Sequence, residues 1–180
     1  DTVTIVHIAH SAKYLLLPIQ EGSKEGQVKL ETGSPADTEM DIRLAIDSVE
    51  YYVPFALTQS EGGATVTIRN VAADALCWDS IKVSDPFDST NRDKFSPLYH
   101  HTPLYGWMND ANGLVYKDGE YHLYFQHNPY GSMWGNMHWG LSVSKDFVHW
   151  EHLDPAIARD TLGHIFSGSA IVDKNNSAGY

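Results

Sequence analysis

Alternation of apolar and polar residues through most of the first 84 positions is the feature that most constrains the fold of this chain. Successive side chains of a β-strand point to opposite faces, so a period of two predicts a strand with one buried face. The clearest case is the run from residue 40 to residue 47. Its predicted buried face carries Met40, Ile42, Leu44 and Ile46. The first part of the chain is therefore expected to be a sheet protein.

Six further runs rich in β-branched residues are separated by turn residues such as those at 61–63. They span residues 3–9, 14–19, 27–30, 52–58, 65–69 and 80–84. About seven short strands with no credible amphipathic helix predict a β-sandwich over residues 1–84. The function of this accessory domain cannot be read from its sequence.

A polar segment at residues 85–98, bounded by Pro86 and Pro97, is predicted to be a linker, because proline cannot donate to a sheet ladder. Beyond it the composition changes: four of the five tryptophans and eight of the ten histidines lie between residues 100 and 164. Aromatic density of this kind is typical of a dense core or of a surface that stacks on flat ligands. Trp78, Trp139 and Trp150 are predicted to be core residues, because they lie in or beside apolar strand faces.

Four short strands are predicted in this second part, at residues 113–116, 121–127, 138–144 and 148–153, with a tight Asp-Gly hairpin at 117–120. Four antiparallel strands of this size match one blade of a β-propeller. A fifth predicted strand, at 165–172, begins a second blade. Because one blade cannot bury both faces, residues 99–180 are expected to need further blades from downstream chain or from another chain.

Composition excludes several classes of function. The net charge is −11 and the basic residues are scattered singly, which disfavours nucleic acid and anionic membranes as partners. No apolar run is long enough to cross a bilayer, and the N-terminus lacks a signal-peptide pattern. Cys77 is the single cysteine and is expected to be a small buried hydrophobe. No cofactor is predicted.

Two histidine-rich runs, at residues 100–101 and 149–152, raise the question of a metal site. Adjacent residues on a strand point to opposite faces, and neither run forms a three-ligand set at strand spacing. No metal site is therefore predicted.

The turn at residues 107–113 places one carboxylate, Asp110, beside an amide and just before a strand. In a propeller the innermost strand of a blade starts near the central channel, so Asp110 would face a funnel-shaped pocket. The same Asn-Asp-x-Asn-Gly string is also an ordinary way to turn a chain. Both interpretations stay open on these residues alone.

Five strings together resemble the opening blade of glycoside hydrolase family 32, the invertase, inulinase and levanase family. They are WMNDANG at 107–113, FQHNP at 125–129, WGNMHWG at 134–140, HW at 149–150 and FSGS at 166–169. The resemblance implies an all-β protein in which the N-terminal β-sandwich is followed by the first blade, and the start of the second, of a five-bladed propeller. Residues 1–85 are similar only in kind to the accessory domain of some bacterial members.

The resemblance also implies hydrolysis of β-fructofuranosyl linkages in fructans or sucrose by a retaining mechanism. Asp110 matches the family nucleophile, and nearby amides such as Asn109 and Asn112 would favour its ionised form. Residues that match the sugar-binding positions are Asn109, Gln126, Trp134, Phe166 and Ser167. A family with these substrates implies an extracellular or periplasmic protein, with any signal peptide removed or absent from the sequence given.

Some positions depart from the family pattern. Ala111 stands where proline is usual, which removes a rigid φ beside Asp110. Leu141-Ser142 stands where many members have His-Ala. The family's Arg-Asp-Pro and Glu-Cys strings, which carry a stabilising aspartate and the acid/base glutamate, do not occur, and Arg159-Asp160 is rejected because threonine follows it. Neither Glu120 nor Glu151 is expected to be the acid, so this chain alone is predicted to be inactive.

Three alternatives remain. A carbohydrate-binding module would use the tryptophans without catalysis. Another five-bladed glycosidase, such as an inverting arabinan hydrolase, would share the architecture but give the opposite product stereochemistry. The sandwich alone could have a structural role, docking against the propeller or a glycan.

Overall fold

The computed structural model describes residues 2–8, 12–31, 38–57, 63–90 and 96–179. In these ranges the chain forms three antiparallel β-sheets and one short helical turn. The predicted all-β class is therefore confirmed. Predicted strand ends at residues 9 and 58, part of the turn at 61–63 and residues 91–95 of the predicted linker lie outside the described residues.

The first two sheets form the sandwich. The first sheet has the order β1-β6-β3-β4 and the second has the order β5-β2-β7. Their strands are β1 (Val3–Ile8), β2 (Tyr14–Ile19), β3 (Gly26–Glu31), β4 (Thr38–Ile42), β5 (Tyr51–Ala56), β6 (Ala64–Arg69) and β7 (Lys82–Ser84). Seven strands in the described part of residues 2–84 match the predicted number.

The core between these two sheets is almost entirely aliphatic. Alternate residues from β2, β3, β4, β5 and β6 point inward. The largest fully buried side chains include Leu15, Leu17, Val28, Leu30, Met40, Ile42, Phe55, Val66 and Ile68. Cys77 is also fully buried, as predicted, and burial raises the pKa of its thiol to about 11.

The run at residues 40–47 is not one continuous strand. β4 ends at Ile42, and Leu44 then forms an isolated bridge with Ile19 of the second sheet. The chain therefore passes from one sheet to the other, which buries Ala45 and leaves Ile46 41% exposed. The prediction that Ile46 shares the buried face was wrong, because the alternation ends where the chain changes sheets.

The predicted strand at residues 80–84 is shorter in the structure. One turn of helix, α1 (Cys77–Ser80), precedes β7. Ile81 closes the turn by donating its backbone N–H to the carbonyl of Cys77 at 2.9 Å. The side chain of Trp78 donates to the carbonyl of Ala72 at 2.7 Å.

The third sheet is a four-stranded meander with the order β11-β10-β9-β8. Its strands are β8 (Trp107–Lys117), β9 (Glu120–Asn128), β10 (His138–Ser144) and β11 (Glu151–Ile157). We call this sheet and its loops, residues 99–179, the blade. The hairpin between β8 and β9 is the predicted one: Asp118 and Gly119 have φ of 54° and 87°, the left-handed values that an Asp-Gly turn supplies.

Three strand predictions for the blade differ from the structure. The strand predicted at residues 113–116 begins at Trp107, so the predicted turn at 107–113 is part of β8. β11 begins at Glu151 instead of residue 148, because the side chain of Asp146 accepts the backbone N–H groups of Val148 and His149, both at 2.8 Å, and holds them in a turn. Residues 165–172 form no strand. Ile165 makes a single ladder-like bond to the carbonyl of Met137 at 3.0 Å, and the segment then leaves the sheet.

No helix in the described residues is long and apolar enough to cross a membrane.

Candidate functional site

Asp110 lies near the start of β8, where the strand is irregular. The register between β8 and β9 shifts between Asn109 and Ala111, so Asp110 sits in a bulge with φ of 28°. A positive φ is unusual for a residue other than glycine, although aspartate and asparagine tolerate it. Asn112 supports the bulge by donating from its side-chain amide to the carbonyl of Asp110 at 3.0 Å. The bulge leaves the Asp110 side chain exposed on the edge strand.

Ser167 binds the carboxylate of Asp110 directly. Its hydroxyl donates to Oδ2 of Asp110 at 3.0 Å, although the two residues lie 57 positions apart. A hydrogen bond to a charged oxygen is stronger than one between neutral groups. The segment that follows β11 therefore folds back onto the start of β8 and brings two of the predicted site residues together.

Asn109 and Gln126 are directly opposite each other on β8 and β9, and Gln126 is in turn opposite Trp139 on β10. Residues opposite each other across antiparallel strands project from the same face. These three side chains therefore form a row across one face of the blade. Asn109 already accepts a hydrogen bond from the indole of Trp107 at 2.7 Å.

Gln126 is the most buried of the predicted site residues, with 2% of its surface exposed. Its amide nitrogen has no hydrogen-bond partner among the described residues. A buried donor without a partner is costly, so it marks a place where a polar ligand group would be stabilised.

Trp139 links this row to the segment that carries Phe166 and Ser167. Its indole donates to the carbonyl of Phe166 at 2.9 Å. The segment runs so close to the ring that a Cβ at Gly168 would lie 3.1 Å from it. Trp139 was predicted to be a core residue, and it is half-buried. Its ring packs under the segment that carries Phe166 and Ser167.

The two predicted aromatic residues flank a histidine that sequence reasoning missed. The ring of His164 lies 5.3 Å from Trp134 and 6.0 Å from Phe166. His164 also accepts the backbone N–H of Met137 through Nδ1 at 3.0 Å. Trp134 is 52% and Phe166 is 66% exposed. The only signal in the sequence was the position of His164 two residues before Phe166.

Strand pairing, hydrogen bonds and ring contacts thus connect all six predicted residues, with Trp139 and His164 as links. Asp110, Trp134 and Phe166 are exposed, so the described residues present an open surface instead of the expected funnel. Glu120 lies at the opposite end of β8 and β9, where its carboxylate pairs with Lys145 at 3.6 Å. Glu151 is exposed on the edge strand β11.

The histidine-rich runs come together in part, on the other face of the blade. His101 and His152 both contact the hydroxyl of Ser142, at 2.9 and 3.0 Å. Burial, together with repulsion from His152, lowers the pKa of His101 to about 4. Within the described residues no group of three or more potential ligands is placed to hold a metal ion.

Comparison with known families divides the chain into two parts. Residues 100–179 match the glycosyl hydrolases family 32 N-terminal domain, and residues 1–99 match a domain of unknown function (DUF4980). The two ranges meet between residues 99 and 100, one residue after the end of the predicted linker (85–98).

Similar proteins include a levanase, an invertase and an exo-inulinase. The chain is 57% identical to the levanase of Bacillus subtilis (strain 168) over 98 residues, which is 54% of this chain and 14% of the levanase. It is 47% identical to the invertase of Schizosaccharomyces pombe over 120 residues, 62% of this chain and 20% of the invertase. The crystal structure of exo-inulinase from Aspergillus awamori is 47% identical and matches with a TM-score of 0.43, covering 46% of this chain and 17% of that one. The chain therefore spans less than a quarter of each of these relatives.

Proposed function

The chain belongs to the DUF4980 family through residues 1–99 and carries the N-terminal part of a glycosyl hydrolase family 32 domain in residues 100–179, and from this premise we propose that the complete protein hydrolyses β-fructofuranosyl linkages in fructans or sucrose with Asp110 as nucleophile. The similar proteins are named levanase, invertase and exo-inulinase, which supports the substrate class. The blade would be the first of a five-bladed propeller.

The observation that carries the proposal is the contact between Ser167 and Asp110. A hydroxyl that donates to Oδ2 at 3.0 Å holds the carboxylate in one orientation, and a fixed orientation is what an attacking oxygen needs. The bulge and the positive φ at Asp110 add to this, because strained backbone is concentrated at functional sites.

The proposed reaction has two displacements. An oxygen of Asp110 bonds to the anomeric carbon while the glycosidic C–O bond breaks, and a second carboxyl group protonates the leaving oxygen. Water then releases the sugar with retained configuration. Asn109, Gln126 and Ser167 would bind fructosyl hydroxyls, and Trp134 and Phe166 would cover the apolar face of the ring. The acid/base carboxyl would come from outside these 180 residues, so this chain alone would be inactive.

The proposal includes an extracellular or periplasmic location. One relative is named extracellular exo-inulinase.

The test uses the complete protein and two matched carboxylate variants. Asp110→Asn is expected to lower kcat by about 10⁴-fold or more, since loss of a nucleophile removes the covalent route. Glu120→Gln, in the same blade but paired with Lys145, is the control and is expected to keep full activity. Early-time NMR of the released fructose should show the β-anomer. A fully active Asp110→Asn variant, or an inverted product, would contradict the proposal.

A second candidate function is a non-catalytic carbohydrate-binding module. It is favoured by the exposure of Trp134 and Phe166 with His164 between them, because such aromatic surfaces stack on sugars without chemistry. The variants Asp110→Asn and Glu120→Gln distinguish the binding module from the hydrolase. If the protein is a binding module, Asp110→Asn should still bind fructan, and any hydrolysis should be the same in both variants.

A further inference from the structure

The loop between β9 and β10, residues 129–137, carries Trp134 and lies against the sandwich; we call it the Trp134 loop. Tyr130, near its start, is buried and packs with its ring 5.6 Å from that of Phe55 in the sandwich core. The loop is therefore built partly on the N-terminal domain.

Glu21 of the sandwich anchors the loop two residues before Trp134. Its Oε1 accepts the backbone N–H of Ser132 at 2.7 Å and also accepts the hydroxyl of Tyr51. Burial opposes the charged form of Glu21, but the hydrogen bonds from Ser132 and Tyr51 outweigh it and lower the pKa of this carboxyl. The anchor is thus a charged acceptor at neutral pH.

Asn136 anchors the loop two residues after Trp134. Its Oδ1 accepts the backbone N–H of Asp41 at 3.0 Å, and its Nδ2 donates to the carbonyl of Asp41 at 2.8 Å. β4, which carries Asp41, is an edge strand of the first sheet. The side-chain amide therefore pairs with the strand edge as a neighbouring strand would, and Asn136 is only 3% exposed.

Arg159, which follows β11, completes the second anchor. Its guanidinium pairs with the carboxylate of Asp41 at 3.1 Å and also donates to Oδ1 of Asn136. The arginine side chain is 13% exposed. The Asp41 side chain is 44% exposed, so water screens this ion pair in part and its contribution to stability is modest. The sandwich, the Trp134 loop and the segment after β11 thus meet at Asp41.

Within the blade, Asn128 fixes the residue next to Trp134. Its amide donates to the carbonyl of Met133 at 2.9 Å. The backbone of the loop is therefore held before, beside and after Trp134, while the indole itself is 52% exposed and contacts His164. The indole of Trp134 is therefore the exposed part of the loop, and it is the group that would contact a sugar.

We propose that Glu21 and Asp41 of the N-terminal domain are positioning residues that hold Trp134 at the sugar-binding surface, so that the DUF4980 domain serves substrate binding by the blade. The inference rests on the proposed function of Trp134. Neither residue touches the substrate; each acts through the backbone of the Trp134 loop.

The first experiment compares three variants of the complete protein on a fructan. Glu21→Ala removes the acceptor of the Ser132 N–H group and is expected to raise KM about tenfold with kcat changed less than about twofold. Glu21→Gln keeps an oxygen acceptor and is expected to restore KM to within about twofold. The control is Glu39→Ala on β4, whose carboxylate accepts from Gln27 within the sandwich at 2.9 Å and should leave both constants unchanged.

A second variant covers the case in which Glu21→Ala does not fold. Asp41→Asn removes the charge that pairs with Arg159 but keeps the backbone pairing with Asn136, and it should raise KM about threefold. Unchanged KM in folded Glu21→Ala or Asp41→Asn protein, or a loss confined to kcat, would overturn the inference.

The two proposals fail in different ways. An active Asp110→Asn enzyme would refute the proposed hydrolase and, with it, the role of Trp134. Loss of activity in Asp110→Asn together with normal KM in Glu21→Ala would leave the hydrolase standing and refute only the positioning role.

Discussion

The sandwich and the blade are both made of short antiparallel strands, but they bury different kinds of side chain. Fully buried residues of the sandwich are mainly aliphatic, together with Phe55 and Met40. Buried residues of the blade are mainly polar: Gln126, His127, Asn128, Asn136, His138, Ser142 and Ser144. The sandwich has two sheets to close an apolar core. The blade is a single sheet: its Trp134 loop contacts the sandwich through Tyr130 and Phe55, and the segment after β11 lies against Trp139.

This difference separates the residues that stabilise from those that can react. Burying aliphatic surface gives stability without specific chemistry. Buried amides and imidazoles need partners, and among the described residues Nε2 of Gln126 has none. The four predictions that follow test whether stability is concentrated in one region and chemistry in the other.

The largest effect on stability is expected at Phe55. The ring is fully buried and contacts Tyr130, so Phe55→Ala should lower the free energy of unfolding of the complete protein by about 3–5 kcal/mol. Leu114→Ala, at a position 58% exposed in the blade, should change it by less than about 0.5 kcal/mol. Denaturant unfolding measures both. Similar losses at the two positions would remove the contrast.

Acid is expected to weaken the blade before the sandwich. Burial lowers the pKa of His138 to about 4; the bond to the Asn136 carbonyl opposes this, while His127, Arg159 and His164 add to it. Because the folded pKa lies below the unfolded value of about 6.5, the contribution to stability is present above pH 6.5 and is lost as the pH falls toward 4. Its size is about 1–3 kcal/mol.

Hydrogen exchange at pH 7 and pH 5, corrected for intrinsic rates, measures this loss region by region. Amides of β10 should lose protection at pH 5, and those of β3 and β6 should not. His138→Gln should reduce the difference. Equal loss of protection in both regions would show that the buried histidines do not control it.

A smaller effect, on activity alone, is expected at Ser167. Ser167→Ala removes the donor to Oδ2 of Asp110 and should lower kcat/KM about tenfold, as expected for one hydrogen bond to a charged group. Its exposed neighbour Ser169 provides the control variant, Ser169→Ala. Steady-state kinetics and a melting curve are sufficient. A lower melting temperature with unchanged kinetics would mean that the contact serves stability only.

The smallest effect is expected at Lys145. Its ammonium pairs with Glu120 at 3.6 Å, and the lysine side chain is 79% exposed. Lys145→Ala should change the free energy of unfolding by less than about 0.5 kcal/mol, with no change in activity. A larger change in the free energy of unfolding or in activity would show that the end of the blade away from Asp110 contributes to stability or catalysis despite its exposure.

Local features of the fold were predictable from the sequence, and features that depend on distant contacts were not. Alternation predicted most strands of the sandwich, and Asp118-Gly119 predicted the hairpin turn. The end of β4 depends on Leu44 pairing with Ile19 in the other sheet. A pattern of period two contains no information about that crossing.

The candidate site shows the same division. Residue types and their order pointed to Asp110 and its five companions, but the contact between Asp110 and Ser167 requires a fold that spans 57 positions. The anchoring of Ser132 by Glu21 spans 111 positions. Neither Glu21 nor Ser132 belongs to a recognisable motif, so the role that we infer for the sandwich could be found only from the structure.

The central claim, that an oxygen of Asp110 bonds to the sugar, is tested most directly by trapping the intermediate. The complete protein is quenched in acid during turnover of sucrose or a fructan and then mapped by peptide mass spectrometry. The account predicts one fructosyl unit attached to the peptide that contains Asp110, and none in Asp110→Asn. Turnover without any adduct, or an adduct on a different carboxylate, would contradict it.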